Sequence, residues 1–241
     1  MNMPILAIEE LTKTYSQNFT AVDQLSLTVE PGDIFGFIGH NGAGKTTTLR
    51  SVVGALSFDR GKILIDGFDI QQHPLECKQR LAYLPDNPDL YDYLTGEQYI
   101  NFIADIFEIE TAVRQERVEA LSQRLGLMDQ LGNLISSYSH GMKQKLTIIA
   151  ALVHDPKLLV MDEPFVGLDP EATYHVKQLL HAHCAKGNAV FFSTHVLEVA
   201  ETLCNKIALI DHGKLKRCGT TEEVRGEQTL EEVFLKVVGH E

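Results

Sequence analysis

Residues 39–46 read GHNGAGKT, and few octapeptides restrict a fold so tightly. Glycine, four residues, then Gly-Lys-Thr is the spacing of a phosphate-binding loop. Such a loop works after a short strand and before a helix, where its amides and the helix's positive end meet an anion. Both neighbours are present: IFGFI (34–38) is an apolar run of strand type, and TTTLRSVVGAL (46–56) reads as a helix. Gly39, Gly42 and Gly44 let the backbone approach phosphate without a Cβ in the way. His40, Asn41 and Ala43 complete the loop, and Thr47 follows it into the helix. Lys45 is placed to reach the β and γ phosphates, and the Thr46 hydroxyl to ligate Mg²⁺. A glycine-rich turn is the plainer alternative, and spacing and context together argue against it.

The preferred base is less sharply written. Guanine-reading proteins carry an Asn-Lys-x-Asp element, and the nearest string here, NKIA (205–208), lacks the aspartate. Tyr15, in LTKTYSQN, follows an early strand. Its ring either stacks on adenine or caps the sheet edge, and both readings stay open.

Around the loop the chain reads as α/β. ILAIEE (5–10), LSLTVE (25–30) and GKILIDG (61–67) look like an N-terminal antiparallel β subdomain. IFGFI, LAYL (81–84), LLVMD (158–162), AVFFST (189–194) and KIALI (206–210) look like a mainly parallel sheet flanked by helices. Together these predict a phosphate-loop NTPase core. Between LAYLPDNP and LLVMD, residues 95–154 show helical periodicity and no strand, with Thr95 and Gln98 spaced as a capping box. This is an inserted helical lobe, so the expected division is a core of 1–86 and 155–241 around a lobe of 87–154. DHGK (211–214) reads as a hairpin turn and TLEEVFLKVV (229–238) as a final helix.

Composition closes off other classes. A net charge of −12 over 241 residues argues against a nucleic-acid partner that needs many phosphate contacts. Apolar runs stay far short of the roughly 20 residues of a membrane span, and MNMPILAIEE lacks the basic start of a signal peptide. The four cysteines form no close pair, which suggests a reducing cytosol. HAHC (181–184) invites a metal reading, but a solvated helix face is the better expectation because no further ligand group matches it.

Three more motifs carry chemistry. LLVMDEP (158–164) is an apolar strand ending in two acids: Asp162 is a Mg²⁺ ligand candidate opposite Thr46, and Glu163 the general-base candidate. STH (193–195) ends another core strand and puts His195 where it would touch the γ-phosphate and orient water. YSHGMKQK (138–145) opens a helix with Ser139 as N-cap, leaving first-turn amides at His140 and Gly141 as a second anion seat.

In this order, with GLD (167–169) after the acids, the motifs resemble those of the nucleotide-binding subunit of an ATP-binding cassette (ABC) transporter. The likeness covers essentially the whole chain. It implies an ATPase using ATP and Mg²⁺, peripheral to the cytoplasmic face of the membrane, serving a separate membrane permease. It also implies a second ABC ATPase subunit, identical or different, paired head to tail. Each ATP would then lie between one phosphate loop and the other subunit's Ser139, His140 and Gly141. LPDNPDLYDYLTGEQ (84–98) and the C-terminal TLEEVFLKVVG look like cassettes of multidrug, antibiotic and bacteriocin exporters. In the family, the segment at 86–94 borders the groove that receives the permease, so Asp89, Tyr91, Asp92 and Tyr93 are expected to face it. Asp86 stands where the family usually has a glutamine near Mg²⁺. Tyr138, His140 and Met142 depart from the usual Leu-Ser-Gly-Gly-Gln signature, which bears on hydrolysis rate. A soluble ABC ATPase is the nearer rival, and a phosphate-loop kinase or GTPase the more distant one.

Overall fold

The computed structural model describes residues 3–16 and 19–238. In chain order the first half holds β1 (Leu6–Ser16), β2 (Phe19–Val29), β3 (Ile34–Ile38), α1 (Lys45–Val52), β4 (Arg60–Ile65) and β5 (Phe68–Asp69). These are followed by α2 (Pro74–Arg80), β6 (Leu81–Leu84), α3 (Gly96–Ile106), α4 (Thr111–Arg124) and α5 (His140–Val153). The remainder holds β7 (Leu158–Asp162), α6 (Pro170–Ala185), β8 (Ala189–Thr194), α7 (Leu197–Leu203) and β9 (Lys206–Asp211). The last elements are β10 (Lys214–Thr220), α8 (Thr221–Arg225) and α9 (Leu230–Val238).

One sheet has strand order β10-β9-β3-β8-β7-β6, parallel except for the edge strand β10. Its central strands β3, β7 and β8 are buried at every position because both faces of the sheet are covered. Alternation then sends Ile34 and Ile38 of β3, with Leu159, Met161 and Phe192, into one core. Phe35 and Phe37, with Val160 and Phe191, enter the other, where Phe37 and Phe191 pack at 5.4 Å between ring centroids. The second core is shared with the antiparallel sheet β2-β1-β4-β5. All the expected parallel strands therefore occur, and their loops of interest lie at the carboxyl ends.

Two of the antiparallel strands, β1 and β2, run longer than their apolar runs suggested. β1 passes through a register shift between Ile8 and Leu11, where Glu10 takes φ 49°, and continues to Ser16. A bulge absorbs the two glutamates that interrupt the alternation, so pairing resumes beyond them.

Between β6 and β7 come α3, α4 and α5, whose apolar faces join the first core through Ile100, Leu121 and Leu146. The Thr95–Gln98 capping box is present in both directions, at 3.1 and 2.9 Å. Ser139 caps α5 by accepting from the Met142 amide at 3.2 Å. His212 (φ 47°) and Gly213 (φ 77°) form the turn between β9 and β10. HAHC departs from expectation: His183 and Cys184 are buried, and His183 Nδ1 lies 3.6 Å from Asp155. The four residues straddle the boundary between α6's wet and packed faces, which a short string does not reveal.

Candidate nucleotide site

The site begins where β3 ends. After Ile38 the chain turns through the loop with Gly42 at φ 84° and Gly44 at φ 105°. Close packing explains two of the glycines. A Cβ on Gly39 would stand 2.6 Å from the Ile210 carbonyl, and one on Gly44 would collide with the Ala21 carbonyl. A Cβ on Gly42 meets nothing, so that glycine serves its left-handed backbone alone. Ala43 is fully buried under the loop. Gly44 starts α1 without a side-chain cap, leaving first-turn amides available to an anion.

Lys45 is 93% buried, with Nζ donating to the carbonyls of Gly39 at 2.7 Å and His40 at 3.3 Å. Its ammonium is 3.7 Å from Glu163. Burial pushes the Lys45 pKa down, while the charges of Glu163 and Asp162 act the other way without overcoming it. A buried cation held by carbonyls and one distant carboxylate is well placed to exchange partners for phosphate oxygens.

β7 delivers the acids. Asp162 is buried at the strand's end, where Oδ1 accepts from the Ser193 hydroxyl of β8. Asp162 Oδ2 is also buried but has no hydrogen-bond partner among the described residues. Glu163 follows in the left-handed region at φ 50°, with its amide donating to the Ser193 carbonyl at 3.2 Å. A non-glycine residue there costs about 1–2 kcal/mol, and the turn aims the side chain away from Asp162's. Its carboxylate meets Lys45 on one side and His195 Nδ1, at 2.9 Å, on the other.

A cleft of about 250 Å³ gathers His40, Asn41, Gly42, Gly44, Lys45, Thr46 and Thr47 with Asp86, Asp162 and Glu163. Of the other residues singled out in the sequence, His195 joins through Glu163 and Gly39 through Lys45. Tyr15 is exposed at the rim, its hydroxyl 3.3 Å from the Thr47 hydroxyl. Sequence reading missed Phe19, which lines the same cleft and stacks on Tyr15 at 6.3 Å between centroids. The available signal was a second aromatic four residues on in YSQNF. Ser193 was also missed as the residue that orients Asp162.

Ser139, His140 and Gly141 are not among the residues lining this cleft. They sit at the start of α5, against GLD: a Cβ on Gly167 would strike the His140 ring, and one on Gly141 would meet the Gly167 carbonyl at 2.9 Å. Tyr138 is structural, its hydroxyl donating to the Gln130 carbonyl at 2.6 Å. Asp92 pairs with Lys143 of α5 at 2.7 Å while its side chain stays 59% exposed.

A second, apolar groove of about 500 Å³ lies between α2, β6, α3 and α5, with Leu75, Tyr83, Tyr99 and Ile106 on its walls. Tyr91 packs on Tyr99 at 6.3 Å and on the exposed Tyr93 and Phe102, forming an aromatic rim.

Residues 22–166 match the family described as ABC transporter. An uncharacterized ABC transporter ATP-binding protein of Nostoc is 35% identical over 232 residues, covering 93% of this chain and 69% of that one. The linearmycin resistance ATP-binding protein LnrL of Bacillus subtilis is 32% identical over 220 residues, covering 91% and 70%. A solved ATP binding subunit of an ABC transporter is 30% identical, with a TM-score of 0.93 over 97% of this chain and 99% of that one.

Proposed function

The chain belongs to the ABC transporter family as an ATP-binding, ATP-hydrolysing subunit of a transporter complex, and from that premise we propose that it drives an exporter permease by closing head to tail on a second ABC ATPase subunit. One observation carries the dimer. The chain has two helix starts suited to phosphate, at α1 and α5, and the cleft around the first does not include the second. Each is half a site, and a second subunit, identical or different, supplies the other half. A core of 1–86 and 155–241 then presents the phosphate loop, and a lobe of 87–154 presents α5.

Within the composite site, Lys45 and the loop amides bind the β and γ phosphates, and Tyr15 with Phe19 stacks on adenine. Ser139, His140 and Gly141 contact the γ-phosphate bound by the partner. Glu163 takes the proton of the attacking water, and His195, its Nδ1 2.9 Å from the Glu163 carboxylate, orients that water. Mg²⁺ fits the residues present. Asp162 offers a buried carboxylate oxygen without a partner among the described residues, and Thr46 and Asp86 line the same cleft with further oxygen donors. When bound, it would neutralise charge on the phosphates.

The permease docks in the apolar groove rimmed by Tyr91, Tyr93 and Phe102. Exposed Leu75 and Ile106, 72% and 58% accessible, favour an apolar partner helix there. The Asp92–Lys143 pair ties this rim to α5, and the Ile135 amide bonded to the Leu94 carbonyl ties it to the segment leading into α5, so docking and the γ-phosphate contact move together. No helix of the described residues is long and apolar enough to cross a membrane, which suits a peripheral subunit on the cytoplasmic face. Export is supported by the resistance function in the name of LnrL.

Membrane fractionation with co-purification tests the coupling. The chain should sediment with its permease and leave with detergent, whereas Ile106→Glu should be released while still binding ATP. A native chain that stays in the soluble fraction would indicate an ABC ATPase not coupled to transport.

A further inference from the structure

We propose that His40, Asp211 and His212 form a binding site for one divalent transition metal of the Zn²⁺ class, at the outer edge of the phosphate loop. His40 is the loop's second residue, Asp211 ends β9, and His212 opens the turn into β10. One ligand atom from each lies within 4.8 Å of the others, among the described residues. Tetrahedral Zn²⁺ with bonds near 2.0 Å needs ligand atoms about 3.3 Å apart. Each nitrogen, now 2.8 Å from Asp211 Oδ1, must move out by about 0.5 Å to reach that spacing, and His212, 75% exposed on its turn, is free to shift.

Hydrogen bonding around the cluster singles out metal chemistry. His40 Nδ1 lies 2.6 Å from the Asn41 carbonyl, which only accepts, so the ring's proton belongs there. Nε2 then directs a lone pair at Asp211 Oδ1, 2.8 Å away, and His212 Nδ1 reaches the same oxygen at 2.8 Å. Two nitrogens and one carboxylate oxygen converge, and one metal ion accepts from all three. Metal-binding histidines habitually donate their other N–H to a backbone carbonyl, as His40 does to Asn41. Asp211 is 9% exposed, and Lys216 holds its second oxygen at 3.5 Å, which fixes the carboxylate while leaving Oδ1 turned inward. Imidazole and carboxylate donors suit Zn²⁺, Cu²⁺ or Ni²⁺ rather than Mg²⁺, so this site is separate in place and kind from the one at Asp162. The rival occupant is a proton on His40.

The metal ties the phosphate loop to the β9–β10 turn, which already contacts it through the Gly213 amide and the Ala43 carbonyl at 2.9 Å. Occupancy therefore stiffens the loop that receives the nucleotide.

Zn²⁺ titration of the tag-free full chain, without nucleotide and against a chromophoric chelator, tests the assignment. Wild type should withdraw one equivalent. Asp211→Asn and His212→Ala should each weaken binding by about tenfold or more, while His73→Ala, which alters another exposed histidine, binds as wild type. His212→Ala lies on an exposed turn and should keep wild-type melting, so its loss of Zn²⁺ is not loss of fold. A wild-type chain that leaves the chelator loaded, or an equivalent that survives both substitutions, overturns the proposal and leaves the proton as occupant.

Discussion

Ser193→Ala probes how β8 prepares the acids of β7. Asp162 is 2% exposed, its Oδ1 is bonded by the Ser193 hydroxyl, and its Oδ2 has no partner among the described residues. Removing the hydroxyl leaves the carboxylate without a side-chain donor. A hydrogen bond to a charged group contributes about 1.5–3 kcal/mol. For a domain of this size each kcal/mol moves Tm by ~2–4 °C, so a fall of about 3–12 °C is expected. Urea unfolding followed by circular dichroism, without nucleotide or Mg²⁺, measures the cost directly. The same substitution in an Asp162→Ala background should cost far less, giving a coupling energy of about 1–3 kcal/mol in a double-mutant cycle. Equal costs in the two backgrounds would refute the idea that Ser193 acts through Asp162.

Glu163→Gln keeps the shape of the side chain and removes its basicity, so ATP turnover should drop by roughly 10²–10⁴ with ATP binding preserved; near-normal turnover would remove Glu163 from the role. His154 is stacked on Phe107 at 3.7 Å between centroids, and burial, against an opposing bond from the Leu81 carbonyl, lowers its pKa from 6.5 to about 4. The unfolded chain thus binds the proton more readily, so this contribution is full above pH 6.5 and is lost as pH falls towards 4. It amounts to up to ~3 kcal/mol, and His154→Phe should flatten the pH dependence of unfolding over that window. An unchanged slope would show that His154 does not carry it.

Where chemistry demands fixed spacing, the sequence was informative. GHNGAGKT between an apolar run and a helix, two acids closing LLVMD, and a capping serine at 139 each state a local geometry with little freedom. Fully buried parallel strands were legible because both faces require apolar residues. What escaped the sequence depends on contacts between distant segments. The pairing of Asp92 with Lys143 depends on where α5 packs, which neither segment shows alone. Ser193 looked like part of a strand end until β7 placed Asp162 beside it. HAHC looked exposed because a helix's packed face depends on what covers it, here burying His183 and Cys184. β1 outran its apolar pattern because a bulge is invisible in alternation alone.

The central claim, two half-sites that ATP joins between subunits, is most directly tested by sedimentation velocity of Glu163→Gln with and without ATP and Mg²⁺. The chain should sediment as a monomer without nucleotide and as a dimer with it. Adding Ser139→Asp sharpens the result, because aspartate keeps the N-cap of α5 while placing negative charge against the partner's γ-phosphate. That double variant should bind ATP and remain monomeric. A nucleotide-bound Glu163→Gln chain that never dimerises, or a dimer indifferent to the charge at 139, would contradict the head-to-tail arrangement.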